Sequence, residues 1–313
     1  MIYDLAILGG GPAGVAAGVY ASRKRLSTVF ITPNFESQSS VAEDIQNWIG
    51  TVSISGMDLA KSLKLHLEAN AGDIVAIREG EYVTNITKKA ENFLIETKSD
   101  LDKVESYEVK TVLITTGSVR RKLEIPGAAE FENRGLTYCA SCDGPLFSGS
   151  PVAVIGGGNA GFETAAQLLA YTESVTLIHR GPQFTADPVS IKKILEHPKM
   201  RGILNADITK IMGDKFVTGI AYKDKKMGTE ETLTVAGVFV EIGMMPSTGF
   251  LNGLVDVDGF NRIIVDEKTQ HTSLSGIWAA GDCTDGLYHQ NNIAAGDAVR
   301  AVEDIYLTLM THG

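Results

Sequence analysis

The sequence predicts an α/β chain built of two related doubly wound domains, the second inserted into the first. Three observations carry this. An apolar strand runs into Gly9-Gly10-Gly11-Pro12-Ala13-Gly14 and then into an Ala-rich helical pattern, and the same succession returns at Gly156-Gly157-Gly158-Asn159-Ala160-Gly161. Both units continue through similar elements in the same order, which marks an internal repeat. The chain after Gly276 is too short for a third unit, so it is placed as the return that completes the first.

In the first unit, residues 3–8 read as the opening strand and 15–23 as a helix. A second apolar strand over 27–32, a long helix and hairpin-like alternating strands across 82–109 follow, and a buried-looking strand over 111–117 ends in glycine. The second unit repeats the order with a helix over 162–170, a strand over 174–179, a long helix, alternating strands across 207–234 and a closing strand over 236–243. Residues 276–282 form one more strand, ending in Gly281-Asp282, and 292–309 a last helix. Short linkers at 118–126 and 244–250 carry Pro126 and Pro246. The expected domains are therefore 1–118 with 247–313, and 119–246.

The glycines have the same task in both copies. The first permits a tight strand-to-helix turn, the second lets backbone approach a pyrophosphate, the third lets helix pack on strand, and the helix N-terminus favours the anion. One such motif is weak evidence; two in this context make both domains Rossmann-like and dinucleotide-binding. The candidate contacts are Gly9, Gly11, Pro12, Ala13 and Gly14 in the first copy, and Gly156, Gly158, Asn159, Ala160 and Gly161 in the second.

Composition narrows the rest. A length of 313 residues suits two α/β domains, and 44% hydrophobic residues with 33 glycines is a globular composition. A formal net charge of −10 with no basic run argues against nucleic acid as a partner. No apolar run approaches the roughly 18 residues of a membrane span. The first strand starts almost at Met1, leaving no room for a leader, so a cytoplasmic protein is expected.

Three cysteines make no disulfide framework, and a close pair in a reducing compartment is catalytic or metal-binding rather than structural. Cys139-Ala140-Ser141-Cys142 is such a pair. Two intervening residues let both sulfurs meet in a small reversible ring, and a nearby helix N-terminus lowers a thiol pKa from about 8.5 towards neutrality. The competing reading, half a zinc site, lacks a second Cys-x-x-Cys or paired histidines, and no metal is expected. A dithiol between two dinucleotide motifs implies an electron path, since a flavin takes a hydride from a nicotinamide and passes electrons to sulfur. Cys283 reads as a buried small hydrophobe, with a reactive thiol as the alternative. His66 and His197 read as solvated helix positions, and Met244-Met245 as core.

The segments Cys139-Ala140-Ser141-Cys142-Asp143-Gly144, Gly9 to Gly14, Gly156 to Gly161 and Ala279-Ala280-Gly281-Asp282 together resemble the low-molecular-weight thioredoxin reductases, over essentially the whole chain. The run Cys142-Asp143-Gly144-Pro145-Leu146-Phe147 also resembles the flavoprotein subunit of alkyl hydroperoxide reductase, whose extra N-terminal disulfide domain has no counterpart within these 313 residues. The resemblance implies FAD on the N- and C-terminal segments, NADPH on the middle domain, a homodimer, and a middle domain that rotates between two presentations to the flavin. It adds Gln38, Asn47, Gly117, Gly281, Asp282 and Gln290 to the FAD contacts. It makes Cys142 the sulfur that meets the flavin, Cys139 the one that exchanges with a thioredoxin-like disulfide, and Asp143 the acid for a departing thiolate. A turn former before Gly144 is the plainer reading of Asp143. Two departures stand out: Glu36-Ser37 replaces a glycine pair, and His289-Gln290-Asn291 replaces Arg-Gln-Ala.

His179-Arg180 ends the second strand of the middle domain, where an Arg accommodates a 2′-phosphate, so NADPH is favoured over NADH. The family's two further arginines are Gly181 and Thr185 here, and Gly161 is the more NAD-like residue at its position. Two alternatives therefore stay open. One keeps the flavin and disulfide but takes electrons from ferredoxin, or runs backwards as an oxygen-dependent dithiol oxidase; the other is a non-catalytic, redox-sensing flavoprotein.

Overall fold

The computed structural model describes residues 2–42 and 45–312, apart from the side chains of Val41, Ser141, Cys142 and His312. The chain forms two compact units, Met1–Val119 with Met245–Gly313, and Arg120–Met244.

The first pass through unit one gives β1 (Ile2–Leu8), α1 (Pro12–Arg23), β2 (Thr28–Thr32), α2 (Gly56–Ala71), β3 (Val75–Glu79), β4 (Glu81–Lys88), β5 (Phe93–Ser99), β6 (Val104–Ile114) and β7 (Ser118–Arg120). Pro12 suits the first turn of α1, where a missing N–H costs nothing. The face of α1 made by Ala13, Ala17 and Ala21 is buried, and small residues there let the helix lie close to its neighbours. A Cβ on Gly18 would stand 2.5 Å from Leu67 of α2, so glycine sets that approach. Ser55 caps α2 by accepting from the Asp58 N–H at 3.1 Å.

Unit two contains β8 (Leu136–Thr137), α3 (Ala140–Asp143), β9 (Pro151–Ile155), α4 (Asn159–Leu168), β10 (Ser174–Ile178), α5 (Pro188–Leu195), β11 (Met200–Ile203), β12 (Ala206–Gly213), β13 (Val217–Asp224), β14 (Glu230–Thr234) and β15 (Gly237–Val240), and β16 (Met244–Pro246) crosses the boundary back to unit one, as β7 crosses it at Arg120. The chain then returns to unit one for β17 (Ile277–Ala279) and α6 (Asn291–His312).

In unit one the sheet runs β3-β2-β1-β6-β5-β4, with β17 also on β6. The strands from β3 to β6 pair in parallel, whereas β4, β5 and the first half of β6 are antiparallel. Residues expected as a separate closing strand over 111–117 are instead the second half of β6, which runs unbroken for 11 residues. Its burial explains the difference: the first half alternates exposed and covered, as in a one-sided antiparallel pair, while its last four residues are wholly buried between β1 and β17. Unit two has a parallel sheet, β11-β10-β9-β15-β8, and a separate antiparallel set, β12-β13-β14. There the closing strand is a distinct element, and the expected long helix after β10 is only the eight residues of α5.

In both sheets the strand order reverses within the parallel part, at β1/β6 and at β9/β15, and a crevice opens at the carboxyl ends of the strands at such switch points. Both glycine loops stand there. Two smaller expectations are corrected. Met244 and Met245 are exposed rather than core, and His197 follows α5 in a turn, its Nδ1 accepting from the Lys199 N–H at 3.3 Å. His66 is exposed on α2.

Candidate redox and nucleotide sites

In unit one the glycine loop is held by contacts that only glycine permits. Gly9 has φ +119°, and a Cβ on it would stand 2.4 Å from the carbonyl oxygen of Thr115 at the end of β6. A Cβ on Gly14 would meet the Gly9 carbonyl oxygen at 1.8 Å, so α1 approaches β1 as closely as a helix can. By contrast, space is open beside Gly11 and Gly117: a Cβ on the first has a single neighbour, at 3.8 Å, and on the second none within 4 Å. Gly11 is the N-cap of α1 and no side chain caps the helix, which leaves its first amides for an anion.

The polar residues expected around this loop come together from opposite ends of the chain. Gln38 Nε2 donates to Asp282 Oδ2 at 3.3 Å and to the Ser118 carbonyl at 2.7 Å. Asn47 Nδ2 donates to Gln290 Oε1 at 3.0 Å. Gly281, at φ +78°, brings its backbone against Ala13 and Ala294. The structure adds Ser39, whose hydroxyl donates to Asn291 Oδ1 at 2.9 Å, Asn292, which donates to the Asn47 carbonyl at 2.6 Å, and His289, whose Nδ1 lies 3.4 Å from Asp282 Oδ1. Sequence reading missed Ser39, Ser118 and Asn292. The polar run 289–292 ahead of an apolar helix was the available signal.

Cys283 is free and fully buried, its thiol facing the carbonyls of Ala280 and Ile114 at 3.5 and 3.6 Å. Burial pushes it up to about 11, which keeps it a thiol and makes it a poor nucleophile.

In unit two, Cys139 is disulfide-bonded and directly precedes α3. The Cys142 side chain lies outside the described residues. The Asp143 N–H donates to the Cys139 carbonyl at 3.1 Å, closing the turn. Thr137, the last residue of β8, donates its hydroxyl to Asp143 Oδ2 and accepts from the Cys139 N–H at 3.2 Å. Among the described residues no group of three or more His, Cys, Asp or Glu is arranged to hold a metal ion, and no helix is long and apolar enough to cross a membrane.

The second glycine loop repeats the first. Gly156 has φ +128°, with the Glu241 carbonyl oxygen 2.0 Å from where its Cβ would be, and a Cβ on Gly161 would meet the Gly156 carbonyl oxygen at 1.9 Å. Gly158 is the N-cap of α4, again with no side-chain cap, and space beside it is open to 3.7 Å. Asn159 Oδ1 accepts from the Asp187 N–H at 2.8 Å, tying α4 to the start of α5. His179 faces the loop: its Nδ1 accepts from the Gly157 N–H at 3.2 Å, and burial, aided by the Arg180 charge, lowers its pKa and keeps it neutral for that role. Arg180 is exposed at the end of β10, and Lys225 from β13's far turn donates to its carbonyl at 3.2 Å.

At the switch point itself stands Glu241, which accepts from the Thr164 hydroxyl at 2.8 Å and whose carboxyl is raised by burial. Arg120 Nη1 is buried without a hydrogen-bond partner among the described residues. Sequence reading missed Glu241, Thr164 and Lys225. A charged residue ending the apolar run Val238-Phe239-Val240 was a signal for the first, whereas nothing local marks Lys225.

Two uncapped helix starts at two switch points, each behind a loop that excludes side chains, fit two dinucleotides. Comparison with known proteins agrees. The family model for pyridine nucleotide-disulphide oxidoreductases matches residues 3–298. The chain is 38% identical over 299 residues to an NADH dehydrogenase of Bacillus subtilis (strain 168) and 36% identical over 300 residues to an alkyl hydroperoxide reductase subunit of Escherichia coli (strain K12). Each match covers 96% of this chain and 57% of the relative, so the chain spans a little over half the length of these curated relatives. Among solved structures, thioredoxin reductase from T. acidophilum aligns over 98% of this chain and 99% of that one at 36% identity and a TM-score of 0.72. The enzyme from Streptococcus pyogenes MGAS5005 aligns over 99% of both at 32% identity and a TM-score of 0.78. On the glycine loops, the two related folds and these matches along nearly its whole length, the chain belongs to the pyridine nucleotide-disulphide oxidoreductase family and is a thioredoxin reductase-like member of it.

Proposed function

We propose that this protein reduces a thioredoxin-like protein disulfide, with electrons passing from a nicotinamide nucleotide through FAD to the Cys139/Cys142 pair. The observation that carries this reading is that Cys139 is disulfide-bonded with Asp143 tied to its backbone, in a chain that also has two dinucleotide loops. Family membership implies FAD and a nicotinamide cofactor. When bound, FAD supplies two-electron exchange with both a nicotinamide and a dithiol. Gly9, Gly11, Pro12, Ala13 and Gly14 would hold its pyrophosphate, with Gln38, Asn47, Gly117, Gly281, Asp282 and Gln290 around the rest. Gly156, Gly158, Asn159, Ala160 and Gly161 would hold the nicotinamide nucleotide, and Arg180, beside Lys225, favours one with a 2′-phosphate.

The residues' own tasks follow from their chemistry. Opening the disulfide takes two electrons and two protons and yields two thiols. Asp143 is the acid that supplies a departing thiolate with a proton. Cys139 exchanges with the external disulfide.

A second reading draws on Gly181 and Thr185, which leave Arg180 without further arginine partners in that strand-to-helix segment: the same disulfide chemistry would then be fed by ferredoxin or a similar donor. Anaerobic titration separates the two. NADPH, and less effectively NADH, is expected to bleach the flavin absorbance and open the disulfide. Cys142→Ser should keep flavin reduction and lose disulfide reduction. Should neither nucleotide bleach the flavin at millimolar concentration while dithionite does, the nicotinamide route is wrong.

A further inference from the structure

We propose that Thr137 is the positioning residue for Asp143: its hydroxyl binds the acid to the backbone of Cys139, so that proton donor and exchanging sulfur keep a fixed relation. The inference rests on the reading of Asp143 as the acid of disulfide exchange.

A threonine hydroxyl has one proton to give. Here that proton goes to Asp143 Oδ2, while the oxygen accepts the Cys139 N–H at 3.2 Å. Thr137 is thus engaged on both sides, and at 6% exposure little water competes for either bond. The anchor is stiff as well. Thr137 ends β8, pairs with Phe239 of β15 in the parallel sheet, and has a β-branched side chain with restricted χ1. A second link closes the arrangement, since the Asp143 N–H donates to the Cys139 carbonyl at 3.1 Å. Acid and cysteine are therefore joined once through backbone and once through the Thr137 side chain.

The consequence lies in the exchange step. The Cys139 thiolate attacks an external disulfide RS–SR′, a Cys139–SR bond forms, and the RS–SR′ bond breaks with its electron pair on R′S⁻. That sulfur takes the proton of the Asp143 carboxyl and leaves as R′SH, so a carboxylate appears on Asp143. The Asp143 carboxylate then takes the proton of the Cys142 thiol, and the Cys142 sulfur attacks Cys139. The Cys139–SR bond breaks with its electron pair on RS⁻, that sulfur takes the proton back from Asp143 and leaves as RSH, and the pair returns to its disulfide. Two electrons leave the dithiol and two thiols leave the site. The Thr137 hydroxyl is aimed at the oxygen on which charge develops, and such a donor lowers the barrier only for a leaving group that needs the proton.

Leaving-group chemistry tests this directly. The holoprotein is reduced anaerobically with dithionite and mixed with either hydroxyethyl disulfide, a poor leaving group, or 5,5′-dithiobis(2-nitrobenzoate), whose thiolate departs without a proton. Thr137→Val should slow hydroxyethyl disulfide about ten- to hundredfold, a part of what general acid catalysis supplies, and the aromatic disulfide less than about twofold. Thr137→Ser, which keeps the donor, should restore most of the rate. Thr137→Ala, which lacks it, should match Val. In an Asp143→Asn background Thr137→Val should add less than about twofold, because coupled residues are not additive. Flavin content and the thermal transition serve as fold controls, and if Val does not fold the comparison of Ala with Ser decides. Equal slowing of both disulfides, failure of Ser to rescue, or multiplicative losses with Asp143→Asn would each overturn the proposal. If the reduced wild type exchanges with neither disulfide, the disulfide reductase reading itself fails and this inference falls with it.

Discussion

Arg180 is the residue on which the choice of nicotinamide turns, and its neighbours set how strong that choice is. The side chain is exposed, and Lys225, which donates to the Arg180 carbonyl at 3.2 Å, is already paired with Asp207 at 2.9 Å. The two positions where the family resemblance implies further arginines are Gly181 and Thr185 here. A Cβ on Gly181 would stand 2.7 Å from His179 Nε2, and Thr185 donates its N–H to the Gly157 carbonyl at 2.8 Å, so both support the loop instead of reading a phosphate. One exposed charge-assisted contact of roughly 1.5 to 2 kcal/mol corresponds to about a ten- to thirtyfold preference for NADPH over NADH. Arg180→Ala should bring the two within about twofold without slowing flavin reduction by NADH, as stopped-flow bleaching at varied nucleotide concentration would show. A preference that survives the substitution would move the recognition to Lys225.

At the scale of elements, the two strand-turn-helix units make the same physical demand and should fail separately. Gly14 and Gly161 stand where a methyl group would lie 1.8 and 1.9 Å from a loop carbonyl, so alanine forces helix and strand apart. Overpacking of this kind costs about 1 to 3 kcal/mol, and here it moves the helix N-terminus proposed to bind the pyrophosphate. Gly14→Ala should purify with little or no FAD. Gly161→Ala should remain yellow and reducible by dithionite, with nicotinamide affinity about tenfold weaker or worse. Recovery of full FAD in the first, or full nucleotide affinity in the second, would show that the loops tolerate the shift. These loops were legible in the sequence because the turn is local: a few consecutive positions fix the geometry. The pairing of Gln38 with Asp282 across 244 positions was reachable only by resemblance. Lys225 beside Arg180, and Thr164 on Glu241, were not legible at all, because the sheets bring them together. The unbroken β6 was misread for a related reason. Its pattern changes halfway from one-sided to fully buried, which in sequence looks like two strands and in the sheet is one strand with different neighbours along its length.

For the whole molecule, the surface of unit one leaves apolar area unaccounted for by either nucleotide site. Ile49, Val52, Leu287 and Tyr288 are 70 to 92% exposed on two loops that three hydrogen bonds hold together, Asn47 to Gln290, Asn292 to the Asn47 carbonyl, and the Ile49 N–H to Asn292. Exposed aliphatic and aromatic side chains on braced loops mark an interaction surface. The family resemblance names a second copy of the chain as the occupant, and a C2 interface needs only that one patch be complementary to itself. The formal charge of −10 per chain opposes association at low ionic strength, so a dimer held by these residues should tighten as salt screens the repulsion. Sedimentation at micromolar concentration is expected to give a species of twice the 33.5 kDa chain mass. Ile49→Asp with Leu287→Asp should yield the monomer, since the double change places like charges on the face expected to pair with its own copy. Phe216→Asp, on an exposed apolar residue of unit two, should leave the dimer intact. A wild type that sediments as the monomer across salt concentrations would remove the homodimer from this reading, and a double variant that stays dimeric would place the interface on another face of unit one.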